Sequence, residues 1–286
     1  MNGYTTIQLF DKQMTKSKNT VKILFFGDIV GKPGRFAVRD FLAKNKYDFI
    51  IANVENASHG FGLTEKNYND LSEYGLDCMT SGNHIWDKKE IFNYIDKAEK
   101  LIRPYNYPEE TPGTGSRIFE LADGTKIAVI NALGRVFMSP VESPWTKVVK
   151  EINRLKEITP IVIVDFHAEA TAEKICFARY CSKLGVSAFF GTHTHVQTAD
   201  EQIINNMAYI TDAGFCGCFE SVIGMEYQTS INRFTTVIPE RYEVAEGSVV
   251  QINAVEIEID STSGHAFAIK RIFMLADNKK EEENEK

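Results

Sequence analysis

Hydrophobic and polar positions alternate in two different ways along the chain, with the change near residue 205. Before that point, short runs of β-branched and aromatic residues alternate with amphipathic stretches, a pattern typical of β-α units packed around a buried sheet. The predicted strands are residues 21–26, 49–54, 78–81, 126–131, 161–166 and 188–190. The predicted helices are residues 35–44, 65–74, 88–98, 147–157 and 172–184.

After the change, the pattern favours antiparallel β-structure without intervening helices. The predicted strands in this part are residues 207–211, 229–237, 248–260 and 266–275. A further hairpin is predicted between residues 117–121 and 126–130, because an Ala-Asp-Gly-Thr sequence suited to a tight turn joins them. We therefore expect an α/β fold in which two mixed β-sheets form a sandwich flanked by helices.

The two ends of the 286-residue chain depart from this pattern. Residues 1–20 are polar and irregular, which predicts a flexible N-terminal extension. Residues 278–286 form a charged run, which predicts a disordered tail. Between them, residues 21–277 contain neither an internal repeat nor a linker, so we expect a single domain.

Charge and hydropathy narrow the range of partners. A net charge of -7 and a pI near 5.5 argue against strong binding of long nucleic acid, which depends on neutralising many phosphates. The chain lacks a secretory leader pattern and any apolar run of about 20 residues, so we expect a cytoplasmic protein that does not enter membranes. A small anionic substrate remains compatible with an acidic protein if bound metal ions supply local positive charge.

The five cysteines do not form the paired CxxC motifs of a structural zinc site, and their odd number argues against a disulfide framework. Cys216 and Cys218 are separated by one glycine and are interpreted as unpaired thiols in a loop, with a redox or metal pair as the alternative.

Polar side chains with metal-binding atoms follow several predicted strands. Carboxylate, carboxamide and imidazole groups occur where the apolar runs stop, and the last two histidines are spaced i and i+2, which places them on one side of an extended segment. The candidate ligands are Asp28, Glu55, Asn56, Asn83, His167, His193 and His195. Each residue alone could equally cap a helix or form a turn. Together they exceed the needs of one ion and predict two, with imidazole favouring Fe, Mn or Zn over Mg or Ca.

Other polar residues near these positions are open to two interpretations. His59 is a solvent-facing loop residue or a substrate contact, and Glu169 caps the following helix or orients His167. The glycine-containing segments 212–214 and 217–224 are plain surface turns or a loop that faces substrate.

The order of these motifs resembles the calcineurin-like metallophosphoesterases over residues 21–275. Asp28 lacks the x-His that usually follows it there, Glu55 stands where Asp is commoner, and Asn83-His84 is followed by Ile. These departures, with the motifs themselves, are similar to the YmdB subfamily. The motifs are Gly27-Asp-Ile-Val-Gly, Asn53-Val-Glu-Asn-Ala, Gly60-Phe-Gly-Leu-Thr, Thr80-Ser-Gly-Asn-His-Ile-Trp-Asp, Asp165-Phe-His-Ala-Glu-Ala-Thr and Gly191-Thr-His-Thr-His-Val-Gln-Thr.

The resemblance implies a metallophosphoesterase-like fold and a phosphodiesterase that opens 2′,3′-cyclic nucleotides, with some action on 3′,5′-cyclic nucleotides. It also implies two divalent or trivalent metal ions per chain, iron first and manganese as the alternative, with Zn or Mg less favoured. Asp28, Asn56 and His195 would bind one ion, Asn83, His167 and His193 the other, and Glu55 would bridge them.

His84 follows a predicted ligand without being needed as one, and its imidazole has a suitable pKa for a general acid, so we expect it to be catalytic. Two other functions stay open at this point. One is a phosphomonoesterase or nucleotidase on the same metal centre, and the other is a regulatory binding protein linked to RNA turnover. The expected partner is a small cyclic nucleotide or another phosphodiester, and self-association into a homo-oligomer is a further option.

Overall fold

A computed structural model describes residues 19–278 of the chain. The predicted N-terminal extension lies outside the described residues except for residues 19 and 20, and the predicted C-terminal tail does so except for residue 278. No helix within the described part is long and apolar enough to cross a membrane.

The described chain contains thirteen strands and six α-helices. The strands are Thr20–Phe26 (β1), Asp28–Ile29 (β2), Phe49–Asn53 (β3), Cys78–Thr80 (β4), Ser116–Glu120 (β5), Lys126–Leu133 (β6), Ile161–His167 (β7), Ala188–Thr192 (β8), Gln202–Ile204 (β9), Met207–Ile210 (β10), Phe215–Cys218 (β11), Val249–Asp260 (β12) and Ala266–Asp277 (β13). The helices are Gly31–Leu42 (α1), Glu65–Glu73 (α2), Ile91–Tyr94 (α3), Lys147–Lys156 (α4), Thr171–Lys183 (α5) and Tyr227–Thr236 (α6), with a 3₁₀ turn at Ile95–Lys97.

The strands form two mixed sheets. The first has the order β2-β11-β12-β1-β3-β4, with β13 also paired to β12, and the second has the order β5-β6-β7-β8-β10-β9. Strands β1, β3 and β4 run parallel in the first sheet, and β6, β7 and β8 run parallel in the second. The antiparallel pairs come chiefly from β12 and its neighbours.

A buried apolar layer joins the two sheets face to face. Phe25 of β1 stacks on Phe190 of β8 with their ring centroids 4.3 Å apart, and both rings are fully buried. Other side chains of β1, β3 and β12 pack in the same cluster with those of β6, β7 and β8. Helices α1 and α2 cover the outer face of the first sheet, while α4 and α5 cover that of the second. The predicted sandwich of two mixed sheets flanked by helices is thus confirmed.

One predicted strand, residues 229–237, is wrong. The structure has helix α6 there, although the segment is rich in β-branched residues. The segment joins neither sheet, and strand β12, which follows it in the chain, pairs with β1, β11 and β13. The hydroxyls of Thr229, Thr235 and Thr236 donate to backbone carbonyls three or four residues earlier, which accommodates these residues in a helix.

Two other local predictions are corrected by the structure. The predicted helix at 88–98 reduces to α3 and a 3₁₀ turn. The backbone N–H groups of residues 91–93 donate to carbonyls three positions earlier, the pattern of 3₁₀ turns. Cys216 and Cys218 lie in β11 rather than in a loop, and both are buried, unpaired thiols.

Candidate metal centre

All seven predicted ligands lie at or just beyond strand ends. Asp28 opens β2 directly after β1, Glu55 and Asn56 follow β3, and Asn83 follows β4. In the second sheet, His167 is the last residue of β7, and His193 and His195 follow β8. Because the parallel strands of both sheets end at the same edge of the sandwich, these side chains meet there.

His167 lies at the centre of the cluster. Its Nε2 is 2.9 Å from Glu55 Oε1 and 3.0 Å from His193 Nδ1. Ligand atoms of these three residues all lie within 4.8 Å of one another, which is compatible with a shared cation. Asp28 Oδ1 lies 3.9 Å from His167 Nδ1 and 3.7 Å from His195 Nε2, which places Asp28 and His195 beside the group formed by Glu55, His167 and His193.

Three buried oxygens of the cluster have no hydrogen-bond partner among the described residues. They are Asp28 Oδ1, Asn56 Oδ1 and Asn83 Oδ1. A buried oxygen that loses water without gaining a donor costs on the order of 1–3 kcal/mol, so native proteins rarely leave three together. Hard oxygen atoms beside imidazole nitrogens suit a transition-metal ion, and the donor set therefore fits the predicted metals.

The acid-base properties of the cluster also indicate a site for positive charge. Burial alone would lower the pKa of His167, but the carboxylates of Glu55 and Asp28 raise it to about 9. The pKa of Glu55, which burial alone would raise, is lowered to about 2 by His167. Burial and the charge of His167 lower the pKa of His193 to about 3. The contact with Glu55 thus favours positive charge on His167 despite its burial.

Each histidine is oriented by a contact on its other ring nitrogen. Thr192 Oγ1 donates to Asp165, so it accepts from His167 Nδ1 at 2.9 Å and leaves Nε2 directed at the cluster. His195 Nδ1 donates to the Ile223 carbonyl at 2.8 Å, which leaves its Nε2 towards Asp28. Contacts of this kind fix the tautomer and orientation of metal-binding histidines.

His193 is oriented by a carboxylate from the segment after β7. Its Nε2 lies 3.1 Å from Glu169 Oε2, and its Nδ1 faces His167. Glu169 therefore contacts His193, and the interpretation that it orients His167 is corrected. His193 and His195 both have positive φ angles, 97° and 63°, a conformation that non-glycine residues adopt at a cost.

Gly82 brings the backbone against the cluster. A Cβ atom at this position would overlap the carboxylate of Glu55 and the ring of His167. The glycine therefore permits the turn after β4 to approach both residues, and Asn83 follows at once. The Gly-Asn-His motif thus has a steric reason for its first residue.

The backbone of His84 contacts the cluster, and its ring lines a cavity next to the cluster. Its N–H donates to Glu55 Oε2 at 2.9 Å, while its Nδ1 lies 2.8 Å from Asp87 Oδ2. The ring is partly exposed and lines the same cavity as His193 and His195. His59 is exposed and lines a different cleft, beside Lys32, which agrees with its interpretation as a loop residue.

Several supporting residues were not identified from the sequence. Asn53 Nδ2 donates to the Ser81 carbonyl and to Asp165 Oδ2, which ties the ends of β3, β4 and β7 together. Burial raises the pKa of Asp165 to about 6. Asn53 and Asp165 each begin one of the family motifs, so a polar residue near the end of a predicted strand was the sequence signal that could have identified them. Lys174 of α5 forms a buried ion pair with Asp212, and nothing in the sequence indicated this pair.

Comparisons with known proteins identify the family of this chain. A family model described as YmdB-like protein matches residues 24–272. A 2′,3′-cyclic-nucleotide 2′-phosphodiesterase of Bacillus subtilis (strain 168) is 46% identical over 263 residues, covering 90% of this chain and 98% of the relative.

Two solved structures share both fold and sequence. One, described as a novel phosphatase from Mycoplasma pneumoniae, has a TM-score of 0.83 and 38% identity, covering 91% of this chain and 95% of that chain. The other, a hypothetical protein from Thermus thermophilus, has a TM-score of 0.80 and 36% identity, covering 89% of this chain and 99% of that chain. The predicted family is confirmed, and the chain belongs to the YmdB-like protein family.

Proposed function

We propose that this protein is a binuclear metal-dependent phosphodiesterase that hydrolyses 2′,3′-cyclic nucleotides, with lesser action on 3′,5′-cyclic nucleotides. The observation that carries the proposal is the group of three buried, unpartnered oxygens of Asp28, Asn56 and Asn83 beside the Glu55–His167–His193 cluster. The enzyme class, a phosphoric ester hydrolase, agrees with the names of the Bacillus and Mycoplasma relatives. The name of the Bacillus relative supports the choice of substrate.

The proposed metal sites divide the seven ligands into two groups. Asp28, Asn56 and His195 would hold one ion, Asn83, His167 and His193 would hold the other, and Glu55 would contribute to both. The contact of His167 with Glu55 and His193 supports the second group, and the approach of His195 to Asp28 supports the first. Iron is the expected metal and manganese the alternative, since mixed oxygen and imidazole ligands suit both.

Bound metal ions supply Lewis-acid activation of water and compensate charge on the phosphate oxygens. The protein then has to provide a proton for the leaving ribose oxygen. We assign that role to His84, whose ring lines the cavity beside the ligands. Asp87 Oδ2, 2.8 Å from Nδ1, orients the ring at the cavity.

The proposal is tested by measuring metal content and activity on the same samples. Protein purified aerobically and anaerobically is analysed for metals and assayed on 2′,3′-cyclic AMP, 3′,5′-cyclic AMP and nucleoside monophosphates. We expect about two metals per chain and a preference for 2′,3′-cyclic AMP. Fewer than two metals under every condition would contradict the binuclear centre. Faster release of phosphate from the monophosphates would instead favour a nucleotidase.

An Asn83→Ala variant separates the ligand role from a structural one. It removes one of the unpartnered oxygens without changing the charge of the site. We expect it to fold, to bind less metal and to lose activity. Asn93→Ala, in the short helix α3 and away from the cluster, is the matched control and should retain both metal and activity.

A further inference from the structure

The cavity beside the proposed metal ligands has two chemically different walls. Its volume is about 190 Å³. One wall is polar and includes Glu55, His193 and His195. The other is formed by apolar and aromatic side chains from Phe61 and from residues 219–248, the segment that joins β11 to β12 and contains α6. We call residues 219–248 the connecting segment.

The apolar wall is built around two aromatic rings. The Phe61 ring meets His84 edge-on at 4.9 Å and lies 6.5 Å from the Tyr242 ring at a tilt of 38°. The guanidinium of Arg233 lies 4.3 Å from the centre of the Tyr242 ring, which holds that ring in place through a cation–π contact. The catalytic imidazole proposed above is therefore adjacent to an aromatic surface.

The mouth of the cavity exposes further apolar side chains. Phe234 of α6 is 73% exposed and Ile223 is 46% exposed, although both line the cavity. The connecting segment is nevertheless ordered by its own backbone, since Glu226 N–H donates to the Glu243 carbonyl and Ala245 N–H to the Gly224 carbonyl. An ordered apolar surface next to the proposed phosphate site is best explained if it binds an apolar part of the substrate.

We propose that the apolar wall binds the base of the nucleotide, which stacks on the aromatic side chains of Phe61, Tyr242 and Phe234 while the phosphate lies at the polar wall. This inference rests on the proposed phosphodiesterase function and adds the substrate subsite to it. Base stacking on aromatic rings requires only a flat π-face.

The test compares two cyclic esters that differ only in the base. One substrate is 2′,3′-cyclic AMP, and the other is the 2′,3′-cyclic phosphate of 1-O-methyl ribose, which lacks a base. For the metal-loaded wild-type protein we expect a KM about 10- to 100-fold lower for the nucleotide, in line with the effect of one stacked base. The variants Phe234→Ala and Tyr242→Ala should reduce this ratio by a factor on the order of ten each.

Two control variants separate stacking from general effects. Tyr242→Phe retains the ring and should retain the KM ratio. Phe273→Ala removes a ring that is 55% exposed on β13, outside the cavity, and should leave the ratio unchanged. Circular dichroism of each variant confirms that it is folded.

The outcomes distinguish this inference from the function on which it rests. If the wild-type protein hydrolyses both esters with the same KM, the base subsite is wrong and the phosphodiesterase function stands. If it hydrolyses neither ester, the proposed function itself fails. If Phe234→Ala and Tyr242→Ala impair both esters equally, the rings act structurally and the stacking role is overturned.

Discussion

Lys174 Nζ lies 2.6 Å from Asp212 Oδ2 in the interior of the protein, and both side chains are 1% exposed. The same carboxylate oxygen accepts hydrogen bonds from the N–H of Thr194 at 3.2 Å and from its hydroxyl at 2.6 Å. Thr194 stands between His193 and His195, which both have positive φ angles. A buried ion pair anchored in α5 therefore holds the segment that presents two of the proposed metal ligands.

Replacing Lys174 by Met should weaken both folding and metal binding. Removing one partner of a buried ion pair leaves the other charge uncompensated, and we expect the free energy of unfolding to fall by about 3–5 kcal/mol. Because Asp212 then holds Thr194 less firmly, metal affinity should fall by about 10- to 100-fold. Denaturant unfolding and metal titration of the folded variant measure the two effects separately.

Lys183→Met is the matched control, since Lys183 is exposed at the end of the same helix. It should change neither quantity. A Lys174→Met protein that is destabilised but binds metal as tightly as the wild type would contradict the positioning role.

His84→Ala should separate proton donation from metal binding. The backbone N–H that donates to Glu55 remains in the variant, so the metal content should stay at the wild-type level. Loss of a general acid lowers kcat by about 10²- to 10⁴-fold. Steady-state kinetics on 2′,3′-cyclic AMP and metal analysis of the same preparation check both parts.

His59→Ala is the control, because it also removes an imidazole but from a cleft other than the one that His84 lines. Its kcat should remain within about twofold of the wild-type value, as for surface substitutions away from the site. A His84→Ala variant with unchanged kcat would remove this residue from the mechanism.

The strand ends that carry the candidate ligands were predictable because each apolar run stops at a polar residue. Asp28 and Glu55 follow the largely buried strands β1 and β3, His167 ends the buried strand β7, and parallel strands bring their ends together. The sandwich of two sheets followed from the same pattern. These features depend on local sequence and on general rules of sheet packing, so they could be predicted from the sequence alone.

Features that depend on distant partners were not predictable. A lysine in an amphipathic helix ordinarily faces solvent, and Lys174 is buried only because Asp212 meets it from 38 residues away. The β-branched residues at 229–237 favoured a strand, yet the segment forms α6, in which threonine hydroxyls donate to backbone carbonyls of the preceding turn. In both cases tertiary context decided against the local preference.

Gly82→Ala should disrupt the proposed metal centre by steric overlap alone. The added methyl group would displace the Glu55 carboxylate or the His167 ring. We expect overpacking to lower the free energy of unfolding by about 1–3 kcal/mol. Displacement of ligands by about 1 Å should reduce activity by about 10²-fold. Metal analysis and assays at saturating added metal test this, and full activity under those conditions would show that the turn can move without effect.

Glu151 should make the fold sensitive to acid. Its side chain is 4% exposed and accepts hydrogen bonds from Arg154 Nε at 2.8 Å, Ser116 Oγ at 2.5 Å and Tyr105 Oη at 3.1 Å. Burial alone would raise the pKa of this carboxyl, but the bonds from Arg154 and Ser116 outweigh burial and lower it. A carboxyl whose pKa is lower in the folded state stabilises the fold above its unfolded value of about 4.3, and this contribution disappears as the pH falls through the folded value.

Glu151→Gln should therefore reduce the free energy of unfolding at pH 7 by about 1–3 kcal/mol, because buried charge-assisted hydrogen bonds are lost. Below the folded pKa the wild-type carboxyl is neutral as well, so the difference between the two proteins should shrink as the pH falls. Denaturant unfolding at pH 7 and at successively lower pH measures this. Glu157→Gln, at the exposed end of the same helix, is the control and should follow the wild-type curve. A difference between Glu151→Gln and the wild type that stays constant with pH would mean that packing, and not charge, accounts for the contribution of Glu151.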